Sequence, residues 1–158
     1  MAVEVFFDTS VLLAGVIDLG PQSGPAQSLL HGVAEKTIRS AGTAWHCCLE
    51  FYSVATRLPP EFRLRPEDAA HLLEEEIFAR MSVHDLPAAD RHQMLRFLSA
   101  DRIAGGRIYD VHIAEVARSA GAKVIVTDNR RHFLSALRHD LRVETPSEFL
   151  GGLTKPSR

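Results

Sequence analysis

The sequence has only two cysteines, and they are adjacent, at Cys47 and Cys48. That spacing suits neither a CxxC metal or redox motif nor an ordinary disulfide, so both read as small core residues. No apolar run approaches the roughly 20 residues of a membrane span. No basic segment precedes a long apolar region at the N-terminus, where Phe6-Phe7 is cut short by Asp8. The chain therefore reads as a cytoplasmic protein without a signal peptide. Positive charge is not in excess either: 18 Lys and Arg against 20 Asp and Glu leave a net charge of -2. Any contact with nucleic acid then has to rest on local basic groups and bound cations, not on a general counterion-release term. The eight histidines form no HxxxH or HExxH pair, which speaks against zinc. They read as mostly surface residues, with His112 off the helix face of Asp110. Repeats, low-complexity tracts and an interdomain linker are also missing. A chain of 158 residues then reads as one domain over 1–150 with a flexible tail at 151–158, long enough to bury about two thirds of the surface its unfolded form exposes.

What is present is organised around Val3-Glu4-Val5-Phe6-Phe7-Asp8-Thr9-Ser10, an apolar run that stops on an acid followed by two hydroxyls. It reads as a buried strand leading into a helix over Asp8 to Val16, with Asp8 at the strand's carboxyl end. Lys123-Val124-Ile125-Val126 runs in the same way into Thr127-Asp128-Asn129. Between them lie a Gly/Pro loop at 20–25 and a helix at about 25–34. Thr43-Ala44-Trp45 reads as a short strand, followed by a helix from Cys47 to Leu58 that Pro59-Pro60 breaks. A helix opens at Pro66-Glu67-Asp68 and runs to about Met81, with Pro in its first turn and acids favoured by the dipole. A short strand over 82–86 follows, then helices over 89–103 and from Ile108 to Arg118, the latter ended by Gly121. A last strand at Leu141 to Glu144 leads into a short helix capped by Thr145.

Strands separated by helices imply an α/β fold: a central, mostly parallel sheet flanked by helices. Ligands of open α/β sheets bind outside the carboxyl ends of the strands, and that edge is where Asp8 and Asp128 fall. The turn after the first strand has no glycine, so a dinucleotide-binding Rossmann site is excluded. An aspartyl-nucleophile phosphatase of the haloacid dehalogenase type would be expected to have an acid where Ser10 stands. Glu50 and Asp110 each sit in otherwise apolar stretches. Taken singly, Asp8 and Asp128 read equally as helix caps, Asp110 as a dipole partner and Glu50 as a half-exposed helix residue. Taken together, four acids directed to one sheet edge suit a hard cation such as Mg²⁺, which takes carboxylate oxygens and completes its shell with water and substrate phosphate.

The stretches Phe7-Asp8-Thr9-Ser10-Val11-Leu12, Leu49-Glu50-Phe51 with Arg57 beyond it, Ile108-Tyr109-Asp110-Val111-His112-Ile113-Ala114 and Val126-Thr127-Asp128-Asn129 with Phe133 after it are collinear with the motifs of PIN-domain ribonucleases. The chain resembles that family, and within it the VapC type of toxin. The one departure is Trp45-His46-Cys47-Cys48, where a plainer aliphatic run is more usual. The resemblance implies a single PIN-like domain that hydrolyses RNA phosphodiesters to a 5′-phosphate and a 3′-hydroxyl with Mg²⁺ or Mn²⁺. It assigns Asp8, Glu50 and Asp110 to the ion and Asp128 to the more variable fourth acid. Thr9, Ser10 and Thr127 are expected to orient carboxylates or water. Arg57, Arg130 and Arg131 are candidates for gripping RNA, Arg57 on the face of Glu50 seven residues on.

The resemblance further implies a homodimer and a cognate antitoxin docked near the site, with DNA contacted only through that antitoxin. The helices over 66–81 and 90–103 carry more apolar surface than a small sheet needs to cover, which suits an interface. Two other readings stay open: a catalytically silent scaffold for RNA or protein, and a housekeeping RNA-processing nuclease. A phosphatase or DNA nuclease on the same acids is a weaker third.

Overall fold

Val5, Phe6 and Phe7 form β1 (Val5–Phe7), buried on both faces, the pattern of a central parallel strand rather than of a half-exposed antiparallel one. A computed structural model describes residues 2–133 and 140–154. Around β1 it places β2 (Ala41–Ala44), β3 (Ser82–His84), β4 (Val124–Val126) and β5 (Arg142–Glu144) in one sheet. The order is β3-β2-β1-β4-β5 and every pairing is parallel. Phe7 stands level with Thr43 of β2 and Val126 of β4. The chain thus leaves these three strands at one edge, delivering Asp8, Trp45 and Thr127 there together.

Seven α-helices among the described residues flank the sheet: α1 (Thr9–Val16), α2 (Gly24–Ala34), α3 (Trp45–Ala55), α4 (Pro66–Leu72), α5 (Arg91–Ala100), α6 (Arg107–Ser119) and α7 (Pro146–Leu153). The core between the layers holds Phe6, Phe7, Phe51 and Phe133 with Leu12, Leu29, Ile77, Ile113 and Ile125, all fully buried. At about 1.5–3 kcal/mol for each large side chain taken out of water, this cluster outweighs any surface pair in the molecule. Cys47 and Cys48 are buried in it as free thiols. Burial pushes the Cys47 thiol up to about 12 and Cys48 to about 11, which makes them inert as nucleophiles.

Several boundaries differ from those expected. Strand β2 begins at Ala41, and Trp45 opens α3 instead of ending the strand. Gly42 sits where a Cβ would fall 2.9 Å from Val3 Cγ2. Thr43-Ala44 fall within the expected strand, whereas Ala41-Gly42 carry no strand signal of their own and are held extended by neighbours on both sides. Helix α3 stops at Ala55, because the Thr56 hydroxyl turns back to the Tyr52 and Ser53 carbonyls. The helix expected to reach Met81 changes at Leu73 to π geometry, which ends at Phe78. The last helix runs through Gly151 and Gly152 to Leu153, past the boundary placed at 150, while 155–158 of the expected tail lie outside the described residues.

Helices α1 and α2 approach most closely at Gly15. A Cβ there would lie 2.5 Å from Leu30 Cδ1, 2.6 Å from Leu30 Cγ and 3.1 Å from the Ala26 carbonyl. Alanine gains about 1 kcal/mol of helix propensity over glycine, but overpacking a filled contact costs about 1–3 kcal/mol, and Leu30 is buried and has little room to yield. Gly15→Ala is therefore expected to lower stability by about 1 kcal/mol, read as a lower urea midpoint with an unchanged slope. A rise in the midpoint would show that α1 and α2 are not in firm contact.

Candidate active site

Asp8 ends β1 and caps α1, so its side chain lies where the strand's carboxyl edge meets a helix N-terminus. It is 5% exposed. Its Oδ2 accepts from Thr127 Oγ1 at 2.6 Å and Ser10 Oγ at 2.9 Å, and its Oδ1 from the Thr9 N–H at 2.5 Å. Burial raises its pKa above the usual carboxylate value and the nearby Glu50 charge adds to that, while the Thr127, Ser10 and Thr9 donors pull the other way. No basic side chain pairs with it among the described residues. A buried carboxylate held by hydroxyls but not by a cation is a ligand-ready arrangement.

Glu50 lies on the second turn of α3, where its Oε1 is 2.7 Å from His46 Nε2 one turn earlier. Asp110 is in the first turn of α6, and its Oδ2 is 3.8 Å from His132 Nδ1. Burial raises the Asp110 pKa first, His132 and Arg107 lower it, and the charges of Asp8 and Glu50 raise it further. Asp8, Glu50 and Asp110 line one pocket of about 230 Å³ with Ser10, Asn129 and His132. Three acids from three separate elements thus meet, which three unrelated helix residues would not do.

The remaining expected residues divide. Thr127 is fully buried and donates to Asp8, and Ser10 bridges Asp8 to the Asp128 N–H at 3.0 Å. Thr9 contributes its backbone N–H, and its buried hydroxyl lies against the Cys47 thiol. Asp128 is exposed and does not line the acid pocket; Asn129 does. The chain bends at Asp128 just past β4, with the Asn129 N–H turning back to donate to Thr127 Oγ1 at 2.9 Å. Desolvation raises the Asp128 pKa, with nothing from the other acids. Arg57 lies in the turn beyond α3, exposed, so it does not share the Glu50 helix face. Arg130 is paired with Glu148 at 2.7 Å. Arg131 lines a second cavity, of about 590 Å³, with Arg107, Asp110 and His132.

Sequence reasoning missed His46, Arg107 and His132, and placed Asn129 past the strand end without giving it a role. His46 was legible from its four-residue spacing to Glu50. Arg107 and His132 reach the site only through the fold. His112, expected on the surface, is half-buried and meets His46 edge-on, with ring centroids 5.6 Å apart.

Among the described residues no group of three His, Cys, Asp or Glu side chains is drawn tightly enough to enclose an ion unaided. A structural zinc site would be so enclosed. Mg²⁺ or Mn²⁺ would not, since a hard cation takes one or two carboxylates directly and keeps several waters. The oxygen-rich set of Asp8, Glu50 and Asp110, with no basic side chain paired to Asp8 among the described residues, fits that demand.

Residues 4–131 match the family model described as the PIN domain. The chain is 32% identical over 123 residues to Ribonuclease VapC40 of Mycobacterium tuberculosis, covering 78% of this chain and 85% of that protein. It is 37% identical over 92 residues to Ribonuclease VapC27 of the same organism, covering 58% of this chain and 65% of VapC27. The fold is similar to a chain of the DNA-bound VapBC structure from Salmonella typhimurium, with a TM-score of 0.64 at 22% identity, over 91% of this chain and 98% of that one. The parallel sheet, the acids at its carboxyl edge and these matches together place the chain in the PIN-domain family.

Proposed function

We propose that the chain is a Mg²⁺- or Mn²⁺-dependent endoribonuclease, the toxin of a VapBC-type pair, working in the cytoplasm. The observation that carries this is the convergence of Asp8, Glu50 and Asp110 on one pocket, where burial raises the pKa of Asp8 and Asp110, the Glu50 charge adds to both, and the Asp8 charge adds to that of Asp110. The relatives named as VapC ribonucleases support RNA as the substrate.

In this reading Asp8 and Asp110 bind the ion directly, and Glu50 either binds it or orients the attacking water. When bound, the ion lowers the pKa of a water and offsets the charge that builds on the phosphoryl oxygens. Water attacks the phosphorus, the bond to the 3′ oxygen breaks, and a 5′-phosphate and a 3′-hydroxyl result. Thr127 and Ser10 hold Asp8 in one orientation throughout. Asp128 is left an outer role, facing away from the pocket. Arg131 with Arg107 is the better RNA grip, because their cavity shares Asp110 and His132 with the acid pocket. Arg130 is engaged by Glu148, and Arg57 stands beyond the helix.

The homodimer and antitoxin belong to the same proposal. Trp45 is 45% and Phe78 43% exposed, their ring centroids 6.2 Å apart beside Met81 and Val83, and Leu95 of α5 is 63% exposed. That apolar surface suits a partner. No helix of the described residues is long and apolar enough to cross a membrane.

The test is cleavage of a structured RNA by the purified chain. Activity is expected to vanish in EDTA and to return with either Mg²⁺ or Mn²⁺, with single-stranded DNA of the same sequence left intact. Undiminished cleavage in chelator would rule out the metal reading. Tight RNA binding without cleavage in either ion would make the chain a silent scaffold.

A further inference from the structure

We propose that His46 is a positioning residue for Glu50, set by a ring clamp that α6 supplies. This rests on the metal-site reading above and assigns a role to the residue at which the sequence departs most from the plainer family pattern.

His46 stands in the first turn of α3, one turn before Glu50, and its Nε2 lies 2.7 Å from Glu50 Oε1. An ionised carboxylate only accepts, so that ring nitrogen carries the proton and donates it. Two side chains of α6 grip the ring. Tyr109 stacks on its face at 5.2 Å and 10° between planes, and His112 meets it at 85°. Tyr109 and His112 flank Asp110 at one residue before and two after. The ring therefore joins the helix that carries Asp110 to the carboxylate of Glu50 on α3.

Burial argues against an incidental surface pair. The His46 side chain is 23% exposed and its acid partner 40%, so the ring is the more enclosed of the two and the carboxylate reaches toward it. A glutamate's terminal torsion is broad when free. A hydrogen bond from a clamped ring narrows it, commits Oε1, and leaves Oε2 for an ion or its water. Partners of this kind around metal-binding side chains are worth about 10–100-fold in metal affinity.

Three substitutions separate the hydrogen bond from mere packing. The glutamine amide nitrogen overlays histidine Nε2, whereas the asparagine nitrogen falls at the Nδ1 position, short of Glu50. Mn²⁺ is titrated calorimetrically into the full-length chain freed of metal, without RNA, and each variant's melting temperature is read in EDTA. His46→Ala and His46→Asn are expected to weaken Mn²⁺ binding about 10–100-fold, while His46→Gln returns nearer to the parent than to His46→Ala on a logarithmic scale. The Gln and Asn pair carries the test even where Ala folds poorly. Mn²⁺ affinity in His46→Ala or His46→Asn equal to the parent's would overturn the inference alone. So would His46→Gln as weak as His46→Asn. A parent chain that binds no Mn²⁺ would overturn both this inference and the metal reading beneath it.

Discussion

Asp110→Asn is expected to lower RNA cleavage about 1,000-fold and to relieve the growth arrest that the parent chain is expected to cause when expressed alone in a bacterium. The size follows from the task assigned to the acid. A metal at a phosphoryl centre supplies several kcal/mol in the transition state, and each 1.36 kcal/mol is a factor of ten in rate. The fold should tolerate the change. Asp110 sits in the first turn of α6, where losing an acid costs about 0.3–1 kcal/mol of helix-dipole energy. Its burial and the charges of Asp8 and Glu50 already work against its ionised form. Loss of activity with a melting temperature close to the parent's would therefore identify a chemical role. Growth arrest persisting with Asp110→Asn would remove the acid from the mechanism. Normal growth with active parent enzyme present in the cell would point to routine RNA processing instead.

Asp8→Asn is expected to abolish cleavage while leaving the metal-free protein as stable as the parent or more so. Asparagine keeps one oxygen for the Thr127 and Ser10 hydroxyls. Its NH2 cannot accept from the Thr9 N–H, and that lost hydrogen bond costs about 1–3 kcal/mol, against a buried charge without a cation whose effective penalty is several kcal/mol. The pH dependence gives the sign. Asp8 has a folded pKa above its unfolded value of 3.8, so the native state binds more protons in the interval between the two. Its contribution to stability is fully present below 3.8 and is lost as pH rises through the raised folded value, by up to about 1.4 kcal/mol per pH unit. The advantage of Asp8→Asn over the parent should thus grow from about pH 4 upward and then level off. His112 and His84 act in the opposite sense, because burial lowers their pKa below 6.5 and costs stability as pH falls. They are common to both proteins and cancel in the difference. Urea midpoints of the pair in EDTA, from pH 4 to 8, measure it. An advantage independent of pH would mean that Asp8 is not a desolvated acid.

Much of this site was readable in the chain because each acid interrupts an apolar pattern. Asp8 stops Val5-Phe6-Phe7, and Asp110 stands between Tyr109 and Val111 on a helix whose other face is core. Collinear motifs then named the family before any geometry was known. What stayed hidden depends on long-range contacts. The start of strand β2, Ala41-Gly42, is made extended by β1 and β3. Asp128 is exposed in a bend just past β4, while its neighbour Thr127 is buried and its hydroxyl finds Asp8 119 residues away in sequence. The loss of Arg57 from the Glu50 face comes from a threonine hydroxyl closing the helix early. His132 reaches Asp110 only because β4 lies beside β1, and periodicity along one segment carries no trace of that.

The central claim is that Asp8, Glu50 and Asp110 are one cation site and not three separately placed acids. Melting the parent and Asp8→Asn side by side, in EDTA and then in millimolar Mn²⁺, tests it most directly. A ligand at 100 times its Kd stabilises the native state by about 2.7 kcal/mol, a clear upward shift for a domain of this size. The account predicts that shift in the parent and its near disappearance in Asp8→Asn. Asparagine is about as good a helix cap as aspartate, so an Asp8 that only caps α1 would leave the two shifts equal, and equal shifts would contradict the account.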